Sequence, residues 1–161
     1  MINVSIANSL LEYFTAKTST FSLSGGGECY LGFSSSTPAN DGSGFTEPDS
    51  ATYPSYERIQ LHILKATEYT NVFGEVKNGE VTNELEFTTR ECQEESGWPT
   101  FTHFGIFLNK EGGSPVAWDW LTDPDGVEDE NGNYPKKSLT VAVNNVAVFR
   151  KGTLRLKFKY D

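Results

Sequence analysis

Acid–base and nucleophilic catalysis rest on histidines, carboxylates and activated hydroxyls or thiols, and the chain carries only two histidines, His62 and His103. Each falls in a stretch whose neighbours are core-forming, so both read as structural or surface residues rather than as bases. Serines abound, yet no G-x-S-x-G elbow is present to expose one as a nucleophile. Carboxylate pairs such as Glu94-Glu95 and Glu84/Glu86 are what a glycosidase would use, but they arise by frequency alone in a chain with 22 Asp+Glu. Gly25-Gly26-Gly27 lacks the Lys-Ser/Thr ending of a phosphate loop and precedes a strand rather than a helix. A small hydrolase built on acidic residues or His103 therefore has only the abundance of carboxylates in its favour.

Two binding chemistries are better supplied. The segment Asp123-Pro124-Asp125-Gly126-Val127-Glu128-Asp129-Glu130-Asn131-Gly132-Asn133 is dense in the oxygen ligands that Ca²⁺ prefers. It does not match the EF-hand loop, which needs Gly at its sixth and Glu at its twelfth position, and it reads as a solvated loop without a metal. Trp98, Trp118 and Trp120 could stack on sugars if exposed in a concave site. Trp118 and Trp120 share parity and hence one sheet face, with Asp119 on the other; packing in a core is the plainer role for aromatics this large. Cys29 and Cys92 fit no C-x-x-C pattern and are expected as buried free thiols. No cofactor is expected.

The elements that must position these residues are mostly strands. With 161 residues the chain is expected to form a single domain over 1–161. Its 11 Phe, 7 Tyr and 3 Trp are enough for a core. Ile6, Ala7, Leu10, Leu11 and Phe14 recur at helical spacing and predict one amphipathic helix within an N-terminal segment 1–19. Beyond it the pattern predicts strands at 28–33, 58–65, 73–77, 80–82, 84–88, 98–108, 116–121, 139–143, 146–149 and 153–160. Residues 34–57 read as a long loop, and a connection of that length is functional or draped over the surface. Asn78-Gly79 marks a tight hairpin. The fold class expected is mainly β: an antiparallel β-sandwich or jelly-roll-like domain with one N-terminal α-helix.

Charge narrows the partners. The net charge of −9 argues against nucleic acid, which needs a cationic footprint. No apolar stretch approaches the ~20 residues a membrane-spanning helix needs, so no membrane insertion is expected. The start Met1-Ile2-Asn3-Val4 has no basic region followed by an apolar one, and no secretory signal is expected. The distribution is uneven: residues 1–134 hold six Lys/Arg against 21 Asp/Glu, whereas 135–161 hold seven against one. This cationic strip, with Arg155, Lys157 and Lys159 alternating in the last strand, either pairs with acidic strands of its own sheet or docks an acidic face on a neighbouring copy or partner.

One stretch carries a resemblance. Tyr30-Leu31-Gly32-Phe33-Ser34-Ser35-Ser36-Thr37-Pro38, followed by Asp41-Gly42-Ser43-Gly44-Phe45-Thr46-Glu47-Pro48, resembles a segment of small tailed-phage virion proteins of the tail-fibre-like kind. In these a "YLGLSTTTP" strand precedes a "DGTGVTEP" loop and an aromatic–Arg pair, here Tyr56-Glu57-Arg58 for the family's Tyr-Ala-Arg. Glu86-Phe87, Thr102-His103-Phe104-Gly105-Ile106-Phe107 and Val116-Ala117-Trp118 are similar to later landmarks, in matching order across residues 10–160. The sequence departs where Leu108-Asn109-Lys110 replaces an Asp, where Asp119-Trp120 replaces a Gly, and in its longer acidic 123–134 insertion.

The resemblance implies a non-enzymatic structural component of a phage particle: a tail-fibre, baseplate, collar or capsid-decoration protein located in the virion. Such a protein acts by assembly, as a homo-oligomer and with other virion proteins. Its candidate attachment surfaces are Ile6, Leu10, Leu11 and Phe14 on the helix and Arg155, Lys157 and Lys159 on the last strand. Within the shared pattern, His103 is expected to bond a backbone carbonyl, and Gly105 to admit a close chain or a bulge. Glu47 is expected to cap backbone N–H groups or to pair with Arg58. The alternative is a carbohydrate-binding host-recognition module that meets a host-surface glycan through Trp98, Trp118 or Trp120.

Overall fold

The computed structural model describes residues 29–61, 64–67, 80–83, 85–123, 125–130 and 133–157. Nine strands are present among them and no helix: β1 (Cys29–Ser34), β2 (Ile59–Leu61), β3 (Leu64–Thr67), β4 (Glu80–Asn83), β5 (Phe87–Thr88), β6 (His103–Phe107), β7 (Ala117–Trp120), β8 (Val148–Phe149) and β9 (Arg155–Lys157). The chain is mainly β and its sheets are antiparallel: a four-stranded sheet in the order β2-β1-β6-β7, a three-stranded sheet β3-β4-β9 and the pair β5-β8. The helix expected within 1–19 and the Asn78-Gly79 turn lie outside the described residues.

Period-two patterning explains the largest sheet. Leu31 and Phe33 on β1 stand opposite Ile106 and Phe104 on β6, and Leu31 also faces Ile59 on β2, so one face is apolar across three strands. These side chains form the core with Leu61, Cys92, Trp98, Phe101, Val141, Ala147 and Leu154. Phe33 sits 5.5 Å from the ring of Phe101 and 5.4 Å from that of Phe149, which stacks on Phe87 at 5.0 Å. Each such aromatic contributes ~1.5–3 kcal/mol by leaving water. Of the aromatic run 98–108, expected as one strand, His103–Phe107 forms β6, which is central and hydrogen-bonded on both sides.

Two predicted strands come out differently. The alternating run 58–65 is divided: the β1–β2 ladder ends at Cys29 opposite Leu61, and β3 belongs to another sheet. Residues 139–143 form no regular strand but follow 98–101 through Trp98 N–H to Val141 O (3.0 Å) and the paired bonds of Phe101 with Leu139 (both 2.9 Å). Pro99 has no N–H to give that ladder, and Asn144, at φ 60°, turns the chain just beyond it. Cys29 and Cys92 are free thiols, Cys92 buried and Cys29 half-buried.

Candidate functional site

The opposite face of the four-stranded sheet, carrying Gly32, Ser34, His103, Gly105, Phe107, Trp118 and Trp120, brings the chemistry-bearing residues together. Gly32 and Gly105 face each other across β1 and β6, and their missing side chains leave a trough. The long loop lies in it. A Cβ on Gly105 would come within 2.7 Å of the Phe45 ring, and one on Gly32 would collide with the Glu47 carboxylate. Ser34, fully buried, anchors the loop's entry: its hydroxyl donates to Ser36 O (2.9 Å) and accepts from Thr46 N–H (2.8 Å). Phe45 meets Phe107 edge-on at 5.3 Å. The 34–57 segment is thus a fitted cover, not a slack connection.

Arg58 closes that cover. Its Nη2 lies 2.6 Å from Glu47 Oε2 and its Nε 3.0 Å from Glu47 Oε1, while Nη1 donates to the carbonyls of Asn109 and Gly112, both at 2.8 Å. The guanidinium carbon sits 3.4 Å from the centre of the Phe107 ring. Tyr56 OH donates to Glu47 Oε1 (3.0 Å) and accepts from Phe33 N–H (2.9 Å), tying the carboxylate to β1. Burial, then the neighbouring Glu47 charge, holds the Tyr56 phenol well above its usual range. The side chains of Arg58 and Glu47 are 5% and 20% exposed, so this is a buried charge pair with its hydrogen bonds made. Of the two roles expected for Glu47, the structure places it in the pair with Arg58.

A second polar cluster lies at the loop's far end. Glu94 accepts from Ser55 N–H and Trp98 Nε1–H, both at 2.9 Å, and from the Ser55 hydroxyl. Desolvation works to raise its carboxyl, but the Ser55 donors, its own backbone and Trp98 outweigh it and hold the pKa down to about 2. In the sequence Glu94 is one of many acids; its partner Ser55 is 39 positions away, and no local pattern marks the pairing.

His103 is fully buried and its Nδ1 lies 2.8 Å from the Thr102 hydroxyl, not a backbone carbonyl. The carbonyls beside it are already engaged, Ser34 O by Thr102 N–H and Thr102 O by Leu121 N–H. Among the described residues His103 Nε2 has no hydrogen-bond partner. Burial lowers its pKa; the Asp119 charge opposes that and Lys136 reinforces it. Packing, the plainer role for the tryptophans, is what two of the three adopt. Trp98 (4% exposed) and Trp118 (5%) are buried, because Trp98 packs on Tyr56 and Phe101 while Trp118 sits opposite Gly105 and against His103. Trp120 is half-buried, 4.0 Å from the His103 ring, with Lys136 Nζ 3.5 Å from its ring centre. Those contacts compete with any sugar for its π surface.

Of the other expected surface residues, Arg155 and Lys157 lie on β9, where backbone register sets them opposite Thr82 and Glu80 of β4. Ile6, Leu10, Leu11, Phe14, Lys159 and His62 lie outside the described residues. Among the described residues no group of three or more His, Cys, Asp or Glu gathers to hold a metal ion, and no helix is long and apolar enough to cross a membrane. Asp123 instead pairs with Lys137 at 3.1 Å, and Asp129 Oδ1 accepts from Asn133 N–H at 2.8 Å. A polar cleft of about 430 Å³ runs beside β2, where Glu57 pairs with Arg90 (2.5 Å) and Lys110 (3.8 Å). Its charged lining offers charge recognition. The sequence matches no protein-family model and no curated protein.

Proposed function

We propose that the chain is a non-enzymatic structural component of a tailed-phage particle, a tail-fibre, baseplate, collar or capsid-decoration protein. It acts through contacts with copies of itself and with other virion proteins. The observation that supports this reading is how the residues of the shared pattern are used. Ser34, Thr46, Glu47, Tyr56, Arg58 and Gly105 all serve to seat one loop on one sheet face, and the Arg58 and Glu47 groups bind each other, Tyr56 and backbone carbonyls. Groups held this way stiffen a surface and leave little with which to bind or activate a substrate. In this reading the sheets stack as a sandwich or jelly-roll-like body. The helical segment 1–19 and the cationic strip ending in Arg155, Lys157 and Lys159 are its attachment surfaces.

The test is direct. Particles purified from the phage that encodes the chain are probed by quantitative mass spectrometry and antibody-labelled imaging. The chain is expected at fixed stoichiometry and at one symmetric location; particles that lack it overturn the reading. A second reading, host-glycan recognition, has one observation in its favour: Trp120 is half-buried, so part of its indole stays open to solvent. Polysaccharide titration with fluorescence detection separates the two, since quenching abolished by Trp120→Ala belongs only to glycan binding.

A further inference from the structure

The recess beside Trp120 is lined by Thr102, Lys136, Lys137 and Ser138 and has a volume of about 90 Å³. That is far below the ~300 Å³ at which small-molecule sites begin, so it suits a single side-chain head group and not a sugar ring. Two ammonium groups and the Ser138 hydroxyl match a carboxylate, the Thr102 hydroxyl being bonded to His103 Nδ1. Lys137 already has one in Asp123, 3.1 Å away, whereas the contact of Lys136 is with the Trp120 ring.

A loop of the opposite character begins beside this recess. Asp123 N–H bonds Pro135 O at 2.8 Å, and Gly126 N–H returns to Asp123 O at 3.1 Å, which ties the start of the 125–130 loop to the residue before Lys136 of the recess. Val127 is 89% exposed at the loop's surface, flanked by the exposed acids Asp125 and Glu128, with Glu130 beyond. An apolar side chain with acidic flanks thus sits next to a cationic recess floored by an indole. A projection and its complement side by side on one surface form a self-complementary patch, which a two-fold pairing satisfies twice over. Charge points to the same partner. Copies with a net charge of −9 repel one another unless a contact sets the cationic 135–161 segment against acid.

We propose that two copies of this chain pair about a two-fold axis, each seating its 125–130 loop in the Trp120–Lys136 recess of the other. A Glu128 or Glu130 carboxylate meets Lys136, and Val127 covers the open part of Trp120. This rests on the assembly reading above and names one of its contacts.

The test is the mass of the full chain by multi-angle light scattering and sedimentation equilibrium. The parent protein is expected to associate in even-numbered units, more weakly at high salt. Lys136→Glu is expected to weaken association at least tenfold, as is Glu128→Lys combined with Glu130→Lys. An equimolar mixture of these two charge-reversed proteins restores both contacts and is expected to regain the parent mass. Lys136→Gln gives the same reading should Lys136→Glu fold poorly by circular dichroism. A parent that stays monomeric, a Lys136→Glu or Lys136→Gln protein of unchanged mass, or a mixture that does not associate overturns the proposal. A monomer still found in purified particles would remove this contact while leaving the virion reading in place.

Discussion

Removing the Arg58 side chain is the most searching perturbation of the loop cover. In Arg58→Ala the Glu47 carboxylate, 20% exposed, keeps only the Tyr56 hydroxyl as a donor among the described residues. Breaking a buried pair by deleting one partner costs about 3–5 kcal/mol. Partial water access to Glu47 places this case at the lower end. The carbonyls of Asn109 and Gly112 lie in an exposed segment and regain water, so they add little. Loss of the guanidinium stacked on Phe107 adds roughly 0.5–1 kcal/mol. The total, about 3–4 kcal/mol, is a large fraction of the ~5–15 kcal/mol that holds a protein folded, and it lowers Tm by roughly 6–16 °C. Urea unfolding with an unchanged m-value measures it. Limited proteolysis should show new cleavage within 35–57 and 108–114, both of which Arg58 ties down. Arg58→Lys should fall between, since an ammonium keeps the charge and loses the fork. A Tm within about 2 °C of the parent and the same protease pattern would refute the reasoning.

Three further outcomes follow from the same geometry. Gly105→Ala drives a Cβ into the Phe45 ring and to 3.0 Å from Pro115, and should destabilise by ~1–3 kcal/mol in chemical denaturation; Gly105→Ala with Phe45→Ala should recover part of that loss. Glu94 has its folded pKa depressed to about 2 from an ordinary 4.5, so its stabilisation is complete above the unfolded value and is lost as pH falls through about 2. Glu94→Gln should therefore flatten the stability profile between about pH 5 and 2, read by urea midpoints, and an unchanged slope counts against the Ser55–Glu94–Trp98 cluster. His103 is the reverse kind of group, a base whose folded pKa is lowered. Its unfolded form takes up a proton first, so stability is full above the ordinary value of 6.5 and declines as pH falls below it, a decline that His103→Phe should remove.

The parts of the fold that can be read from the sequence are those written in short-range pattern. Alternation at Leu31/Phe33 and at Phe104/Ile106 locates the two central strands and their core face, and the scarcity of aliphatics over 34–57 marks the loop. What the pattern does not carry is distance across the chain. Nothing near residue 58 says that an alternating run will be divided between two sheets, because that depends on where the partner ladder ends. Arg58 and Glu47 can be paired on paper, but the two carbonyls that complete the arginine's bonding belong to Asn109 and Gly112, more than 50 positions on. The tryptophans show the same limit: parity puts Trp118 and Trp120 on one face, while only the packing of His103 and the vacancy at Gly105 decide which is buried. From the sequence Lys136 is only one charge of the cationic 135–161 strip, since a lysine's role over an indole is set by tertiary contact.

The strand order of the largest sheet bears on how the protein comes into being. β1 lies between β2 and β6, and 68 residues separate Ser34 from His103, its register partner at the far end of the ladder. A nascent chain still short of β6 can pair β1 only with the three residues of β2, leaving Leu31 and Phe33 without the wall they pack against. Closure over such a span makes folding slow, and until synthesis passes Phe107 the emerging segment is a sticky, half-built ribbon. Truncation before that point should yield aggregates instead of a smaller soluble fold.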